Sequence, residues 1–363
     1  MASRPVRTIS LVSAVYGFVF LTAVLVGAAT AYLLFDRVAF AKASATQEAV
    51  NIRGKHAAID LARVFDQDFH DLQYLADHLA QDDPATLQGQ LDLMAGNRER
   101  IVWAGFAGTD GIVIRGSHDV LQGADVSERP WFRRGLVGNF AGDVHDAILL
   151  NAILGGTTDD PIRLLDLSAP VRDANGQVLG VLSLRINFAW AEAFLTELAQ
   201  SLELDFYLVS QDGSVIIATD GSEPGPRDLP SFRAAASGVA YSGSEIWPDG
   251  IKYFTTVISD VTYPDGDLPS FGWRLIARIG PHSFDAAASD LDRVLTLVLM
   301  VAGLSLVILT IGFNLVFIRP FGVLADNAKR IADGSDEYPL DLRRTRELQQ
   351  LSAALAQLQG HKN

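Results

Sequence analysis

The sequence predicts an α+β fold in which two similar α+β units follow one another between two membrane-spanning helices. No charged residue occurs from Thr8 to Phe35 or from Val294 to Ile318. Each of these segments exceeds the roughly 20 apolar residues that cross a bilayer. Between them, a strand, an Asp-Gly turn and a second strand occur twice, at residues 101–117 and 204–219. The repeat is expected to mark two similar α+β units in tandem.

Charge and cysteine content limit the partners and the chemistry. The 363 residues carry a formal net charge of −14, which argues against a nucleic-acid partner. The chain has no cysteine, so disulfides, thiolate metal sites and cysteine catalysis are excluded. A cysteine-free chain also suits an oxidising compartment, where no stray thiol can mispair.

The basic flanks of the apolar segments predict the topology. Arg4 and Arg7 precede the first span, and Arg319 follows the second. The positive-inside rule therefore places both termini in the cytoplasm. We expect a cytoplasmic N-terminus at 1–8, spans at 9–35 and 294–318, and an exported region at 36–293. The first apolar run is too long for a signal peptide and is interpreted as a retained anchor.

The exported region begins with a predicted helix and continues with the two α+β units. Residues 37–81 contain no proline and show apolar residues at helical spacing, which predicts one long amphipathic helix. Pro84 opens a shorter helix. The first unit is expected at 98–190, with a helical segment at 128–136 and an irregular stretch at 138–161. A helix at 189–202 leads to the second unit at 203–280.

Two short amphipathic helices are predicted after the second span. Leu324, Ala328 and Ile331 keep heptad-like spacing, and Leu348, Leu351, Leu355 and Leu358 repeat it. Such spacing favours a parallel dimeric coiled coil. The alternative is an amphipathic helix pair at the membrane surface.

The segment Asp125–Arg134, with the sequence DVSERPWFRR, is the strongest candidate for a binding site. A guanidinium beside flat aromatic faces suits the wall of a small-molecule pocket. The alternative is a structural role, in which Trp131 and Phe132 are core residues and Pro130 starts a helix.

The exported region resembles a double Cache sensor domain, which consists of two PAS-like modules on a long helix. The resemblance covers about residues 40–285 and rests on this layout and on four segments: Thr109–Gly111, Asp125–Phe132, Ser168–Asp173 and Gly176–Leu182. Residues 319–363 resemble a HAMP signal-transmission unit. Together they imply a homodimeric bacterial receptor of the inner membrane, with a periplasmic sensor domain. Its ligand would bind in the membrane-distal module, 98–190, above the membrane-proximal module, 203–280.

The resemblance also implies the site residues. Arg129 and Trp131 match ligand-binding positions of the family, and Phe132 stands where tyrosine is common. Arg185 occupies the position at which amino-acid-binding members hold the amino group with an acid. This departure favours a ligand with a carboxylate, phosphate or oxo-heterocycle acceptor.

Four further residues complete the candidate set. Asp143, His145 and Asp146 fall in the segment that covers the pocket in the family. They could pair with the arginines, bind a metal or lie on the surface. Asp166 is either a pocket acid or an exposed one.

The expected function is that of a sensor that signals through the second span and the HAMP unit. The alternative is a membrane-anchored binding or scaffold protein that modulates a partner receptor. No catalytic motif, cofactor site or metal site is predicted. The chain stops where relatives carry an output module, so the output is expected in a missing domain, such as a diguanylate cyclase or histidine kinase, or in a cytoplasmic partner.

Overall fold

The computed structural model describes residues 11–79, 84–147, 161–222, 228–280, 285–335, 338, 340 and 345–360. The chain divides into two compact units, one formed by Met1–Lys42 with Ala286–Asn363 and the other by Ala43–Asp285. The second of these units contains both sheets and is called the sensor unit below, after the sensor domain that the sequence predicts there.

The long helix α1 runs without interruption over Leu11–His78, and α2 follows at Pro84–Ala95. Within the sensor unit, Leu61, Phe65, Phe69 and Leu72 of α1 are fully buried. Their spacing of three to four residues places them on one face of the helix. The predicted first span and the predicted long helix are therefore parts of one continuous helix.

The first sheet contains five antiparallel strands in the order β2-β1-β5-β4-β3. The strands are β1 Ile101–Gly108, β2 Val113–Gly116, β3 Phe140–Asp146, β4 Arg163–Arg172 and β5 Val178–Asn187. Helix α3, Pro130–Gly135, packs on this sheet, and α4, Phe188–Leu202, leads away from it.

The second sheet repeats the first, with strand order β7-β6-β10-β9-β8. Its strands are β6 Asp205–Val209, β7 Val215–Ala218, β8 Tyr241–Ile246, β9 Lys252–Ile258 and β10 Arg274–Ile279. Helix α5, Pro230–Ala236, corresponds to α3. The predicted α+β class and the two tandem units are confirmed by this pair of sheets.

The two faces of the first sheet have different environments. Leu165 and Leu167 of β4 and Leu184 of β5 belong to the main core, which also contains the buried face of α1. Because side chains alternate along a strand, Asp166 and Arg185 point to the opposite face. This opposite face carries α3 and a second, smaller core.

One prediction within the first unit is wrong. Residues 138–161 were expected to be irregular, yet Phe140–Asp146 forms the edge strand β3, and residues 148–160 lie outside the described residues. Its sequence, FAGDVHD, lacks the apolar alternation of a half-buried strand. The segment nevertheless forms a strand because it pairs with β4, although its own residues have a weak preference for strand structure. Helix α3 is also shorter than the predicted 128–136 segment.

The other compact unit contains apolar helices and the C-terminal helix pair. Helix α6, Asp285–Phe313, continues through a π-helical turn, Asn314–Ile318, into α7, Arg319–Ala332, and α8 spans Arg346–Gly360. Two helical stretches, Ser13–His78 and Arg293–Ala332, contain windows with a mean hydropathy of 2.2 and 2.8, and neither window is buried. By length and composition, both stretches are apolar enough to cross a membrane. The coiled-coil dimer of α7 and α8 stays a prediction.

Candidate ligand-binding site

A cavity of about 420 Å³ lies on the α3 face of the first sheet. Seven of the eight candidate residues line it: Arg129, Trp131, Asp143, His145, Asp146, Asp166 and Arg185. Phe132 does not line it. That side chain is 3% exposed and packs edge-to-face on Trp131, with ring centroids 5.9 Å apart. The structure therefore brings together residues from α3, β3, β4 and β5.

The register of the sheet places the floor of the cavity in one row. Arg185 pairs with Trp103 of β1 on one side and with Asp166 of β4 on the other, and Asp166 pairs with Gly142 of β3. A Cβ at Gly142 would lie 3.1 Å from the Phe140 ring. Glycine at this position therefore leaves room above Asp166.

Arg185 lies beside two tryptophans whose ring centroids are 6.0 Å apart. Its guanidinium carbon is 5.1 Å from the Trp103 ring centroid and 5.6 Å from that of Trp131, a cation–π arrangement on both. Burial lowers the pKa of Arg185, the carboxylate of Asp166 opposes that shift, and the nearby Arg129 guanidinium adds to it. Two guanidiniums therefore converge on this cavity, and one of them has a carboxylate beside it.

The ion pairs of Asp166 leave hydrogen-bonding capacity unused. Arg185 Nε is 3.4 Å from Asp166 Oδ1, and His145 Nε2 is 3.4 Å from Asp166 Oδ2. Among the described residues, Asp166 Oδ1, Arg185 Nε and Trp131 Nε1 are buried without a hydrogen-bond partner. Buried polar atoms are rarely left unpaired in native proteins. Three unpaired polar atoms are therefore concentrated in side chains that line this cavity.

Local interactions hold α3 against the sheet and thereby position Trp131. Pro130 occupies the first turn of α3, where its missing N–H costs nothing. Ser168 of β4 is fully buried and its Oγ donates a 2.9 Å hydrogen bond to the Trp131 carbonyl. Asp125 accepts a 2.9 Å hydrogen bond from the Ser127 N–H, which lowers the pKa of Asp125. The DVSERPWFRR segment thus combines residues that build the turn with residues that face the cavity.

Asp143 points away from the arginines with which pairing was anticipated. Its Oδ1 accepts a 2.7 Å hydrogen bond from Trp273 Nε1, and its Oδ2 accepts one from Ser210 Oγ. Both donors belong to the second α+β unit. Asp146 is exposed on the same strand. In the part of the chain that the structure describes, no group of three His, Cys, Asp or Glu side chains is arranged to hold a metal ion.

Three important residues were not among the predicted site residues. Trp103 supports Arg185 and donates a 3.0 Å hydrogen bond from Nε1 to the Val120 carbonyl. Phe140 and Leu164 form apolar parts of the wall. The only indication of Trp103 in the sequence was that it is the larger of the two aromatic residues in the predicted strand IVWAGFAG. Its contact with Arg185 depends on a strand register that the sequence does not specify.

The corresponding arginine of the second unit is already covered by its own chain. Arg278 pairs with Asp205 and Thr255, as Arg185 pairs with Trp103 and Asp166. The ring centroid of Trp247 lies 4.0 Å from the Arg278 guanidinium carbon. Asp205 and Asp220 each contact Arg278 at 2.9 Å. Nε and Nη2 of this second arginine therefore each have a carboxylate partner.

No family model and no curated protein matches the sequence. Several solved structures are similar to it, including the ligand-binding domain of the Pseudomonas aeruginosa amino-acid chemoreceptor PctC in complex with GABA. That match has 20% identity and a TM-score of 0.47, and covers 64% of this chain and 99% of that one. The ligand-binding domain of the Pseudomonas fluorescens chemoreceptor CtaA with L-isoleucine matches with 15% identity and a TM-score of 0.49, over 67% and 96% of the two chains. An extracellular ligand-binding receptor from Desulfohalobium retbaense matches with 14% identity and a TM-score of 0.47, and this match covers 63% of the present chain and only 40% of that one.

Proposed function

We propose that this chain is a membrane-bound sensor that binds a small molecule in the cavity of its first α+β unit. The supporting observation is the set of three buried atoms without hydrogen-bond partners among the described residues: Trp131 Nε1, Arg185 Nε and Asp166 Oδ1. They belong to residues that line one cavity and are at most 5% exposed. Such a cavity, mostly apolar with a few converging polar groups, is the usual form of a small-molecule site.

The ligand carries an acceptor group, such as a carboxylate or the oxygen of an oxo-heterocycle. Arg129 and Arg185 supply the positive charge, and Trp131 Nε1 supplies a further donor. The sequence predicted a ligand that pairs with two guanidiniums. The carboxylate of Asp166 offsets the positive charge of one of them, Arg185, at 3.4 Å. A ligand that also offers a hydrogen-bond donor would satisfy Asp166 Oδ1.

The proposal is limited to binding. The described residues that line the cavity include no Ser, Thr, Cys or Lys. No step of a reaction is proposed.

In this proposal the sensor domain is a double Cache domain in the periplasm, with both termini in the cytoplasm. The chain forms a homodimer through its helices in the inner membrane, and α7 and α8 belong to a HAMP unit. Ligand binding shifts a helix by an ångström or two, a known mode of switching. The second span carries this shift to a cytoplasmic output. The helix that contains the second span continues through a π-helical turn into α7, which supports a mechanical connection of this kind.

A thermal-shift experiment on the detergent-solubilised full chain tests the proposal. The probes are acetate, succinate, uracil and xanthine, with ethylamine and putrescine as cationic comparators. An acceptor-bearing probe is expected to raise the melting temperature, because a ligand that binds only the folded state stabilises it. Arg129→Ala and Trp131→Ala are expected to abolish the shift.

Arg133→Ala is the matched control. Arg133 lies in the same segment, but its side chain is 58% exposed and contacts Glu128. The shift should survive in this variant. A response to the cationic amines alone that persists in Arg129→Ala would contradict the proposed site.

A further inference from the structure

We infer that Asp143 joins the cavity wall to the second α+β unit, so that movement of β3 is transmitted to Trp273 and from there to α1. Asp143 is thus a positioning residue and not a ligand contact. Its role in signalling rests on the proposed function, whereas the contact itself can be tested without a ligand.

The first step of the argument is a bulge in β3. The register with β4 shifts between Gly142, which pairs with Asp166, and His145, which pairs with Leu164. Asp143 and Val144 therefore both oppose the single residue Leu165. Bulges redirect side chains at sheet edges and beside binding sites. Here the bulge separates Asp143, which turns to the second unit, from His145, whose imidazole lies 3.4 Å from Asp166 in the cavity.

The second step is that both carboxylate oxygens of Asp143 accept hydrogen bonds from residues of the second α+β unit. Trp273 Nε1 donates to Oδ1 at 2.7 Å, and Ser210 Oγ donates to Oδ2. Hydrogen bonds to an ionised carboxylate are stronger than those between neutral groups. Ser210 is 3% exposed and Trp273 is fully buried, so water competes weakly for these bonds.

The third step leads from Trp273 to the long helix. Trp273 stacks on Phe271 with ring centroids 4.3 Å apart and meets Phe65 of α1 edge-on at 5.9 Å. Both partners are buried in the main core. Packed side chains of this kind do not deform independently. A displacement of β3 must therefore move Trp273 against α1 or break the bonds of Asp143.

Hydrogen–deuterium exchange of the full chain in detergent tests this connection. Trp273→Phe removes the indole donor and keeps an aromatic ring. We expect the amides of residues 140–146, in the other α+β unit, to exchange about fivefold faster, as the loss of one hydrogen bond would give. Ser210→Ala, a milder change, is expected to accelerate the same amides. Asp143→Ala should do so as well, with Asp143→Asn partly restoring the slow rate because its amide oxygen still accepts from Trp273.

Trp247→Phe is the matched control. Trp247 is also a buried tryptophan of the second unit, but its Nε1 donates within that unit, to Thr255 Oγ1 at 3.4 Å. Exchange at 140–146 should remain unchanged in this variant. An unchanged rate in both Trp273→Phe and Ser210→Ala, or an equal acceleration by Trp247→Phe, overturns the inference. The proposed function would fail in a different experiment, if no probe raised the melting temperature, so the two failures can be distinguished.

Discussion

Arg185 and Arg278 occupy equivalent positions in the two sheets, and their immediate neighbours give them different roles. Arg278 makes two 2.9 Å ion pairs and is covered by Trp247. Arg185 has a single carboxylate at 3.4 Å, and its Nε lacks a hydrogen-bond partner among the described residues. Two guanidinium nitrogens of Arg278 are paired with carboxylates of its own chain, whereas Arg185 Nε has no hydrogen-bond partner among the described residues. The chemistry of the site therefore depends on two or three neighbours and not on the arginine alone.

A buried carboxyl on α1 gives a second residue-scale expectation. Asp68 is 1% exposed and contacts Arg100 at 2.8 Å, while its Oδ2 has no hydrogen-bond partner among the described residues. Burial raises the pKa of Asp68 from 3.8 to about 7, Arg100 opposes this shift, and Asp71 adds to it. Between these two pH values the folded state retains a proton that the unfolded state has lost. Stability contributed by this group is therefore present at low pH and lost as the pH rises to about 7.

We predict that Asp68→Asn stabilises the chain relative to the wild type increasingly from pH 4 to pH 8. The amide stays neutral and still offers an oxygen to Arg100. The pKa difference sets an upper limit of about 4 kcal/mol on the effect. Melting temperatures of both proteins across this pH range measure it. The exposed Asp77→Asn, on the same helix, should show no such trend, and a constant difference between Asp68→Asn and wild type would refute the prediction.

Helix α3 illustrates how one short element can define a cavity wall. It has six residues, too few for stability of its own, and it depends on contacts with β4 and β5. A Cβ at Gly135 would lie 2.5 Å from Val181 Cγ1 and 2.9 Å from Ser168 Oγ. The close approach that glycine permits also keeps Ser168 within reach of the Trp131 carbonyl.

Gly135→Ala is therefore expected to lower the free energy of unfolding by about 1–3 kcal/mol, the usual cost of overpacking a rigid contact. It should also weaken probe binding, because Trp131 moves with the helix. Chemical denaturation and the thermal-shift assay measure the two effects. Gly138→Ala is the control, since a Cβ there meets no atom within 4 Å. Equal stability of the two variants would show that α3 tolerates displacement from the sheet.

The elements differ in how far the sequence predicts them. The hairpin at β1 and β2 and the pair β4 and β5 were predicted, because apolar strands flank clear Gly-containing turns. Strand β3 was missed, because FAGDVHD carries neither an apolar alternation nor a turn signal at its ends. Because β3 was not predicted, its bulge was not predicted either. The hydrogen bonds of Asp143 to Ser210 and Trp273 were also not predicted, since they join residues 67 and 130 positions apart in the sequence. Arg129 and Trp131 were predicted as site residues from the composition of their segment and from the resemblance. The contact of Trp103 with Arg185 could not be predicted, because it depends on the strand register.

At the scale of the whole sensor unit, the two α+β units share one architecture but surround the equivalent arginine with different side chains. Both sheets have the same strand order, and a short proline-initiated helix lies over each. Trp131 of the first helix corresponds to Ser231 of the second, whose Oγ donates to Glu245. The second unit then fills the space over its arginine with Trp247, which also packs on Tyr207 and Phe232 at 5.1 and 5.5 Å. The first unit keeps a cavity beside Arg185, whereas in the second unit Trp247 lies over Arg278.

If Trp247 fills the space that a ligand fills in the first unit, its removal should create a cavity that accepts an indole. Trp247→Ala is expected to cost about 3–5 kcal/mol of stability, as for other large buried aromatics. Added indole should restore part of the loss, because it replaces the missing ring over Arg278. The measurement is the melting temperature of variant and wild type with and without indole, and the expected result is a larger rise for the variant. The comparison with wild type accounts for any indole bound in the first unit. An equal rise in both proteins would mean that the second unit collapses around the missing side chain instead of retaining a preformed site.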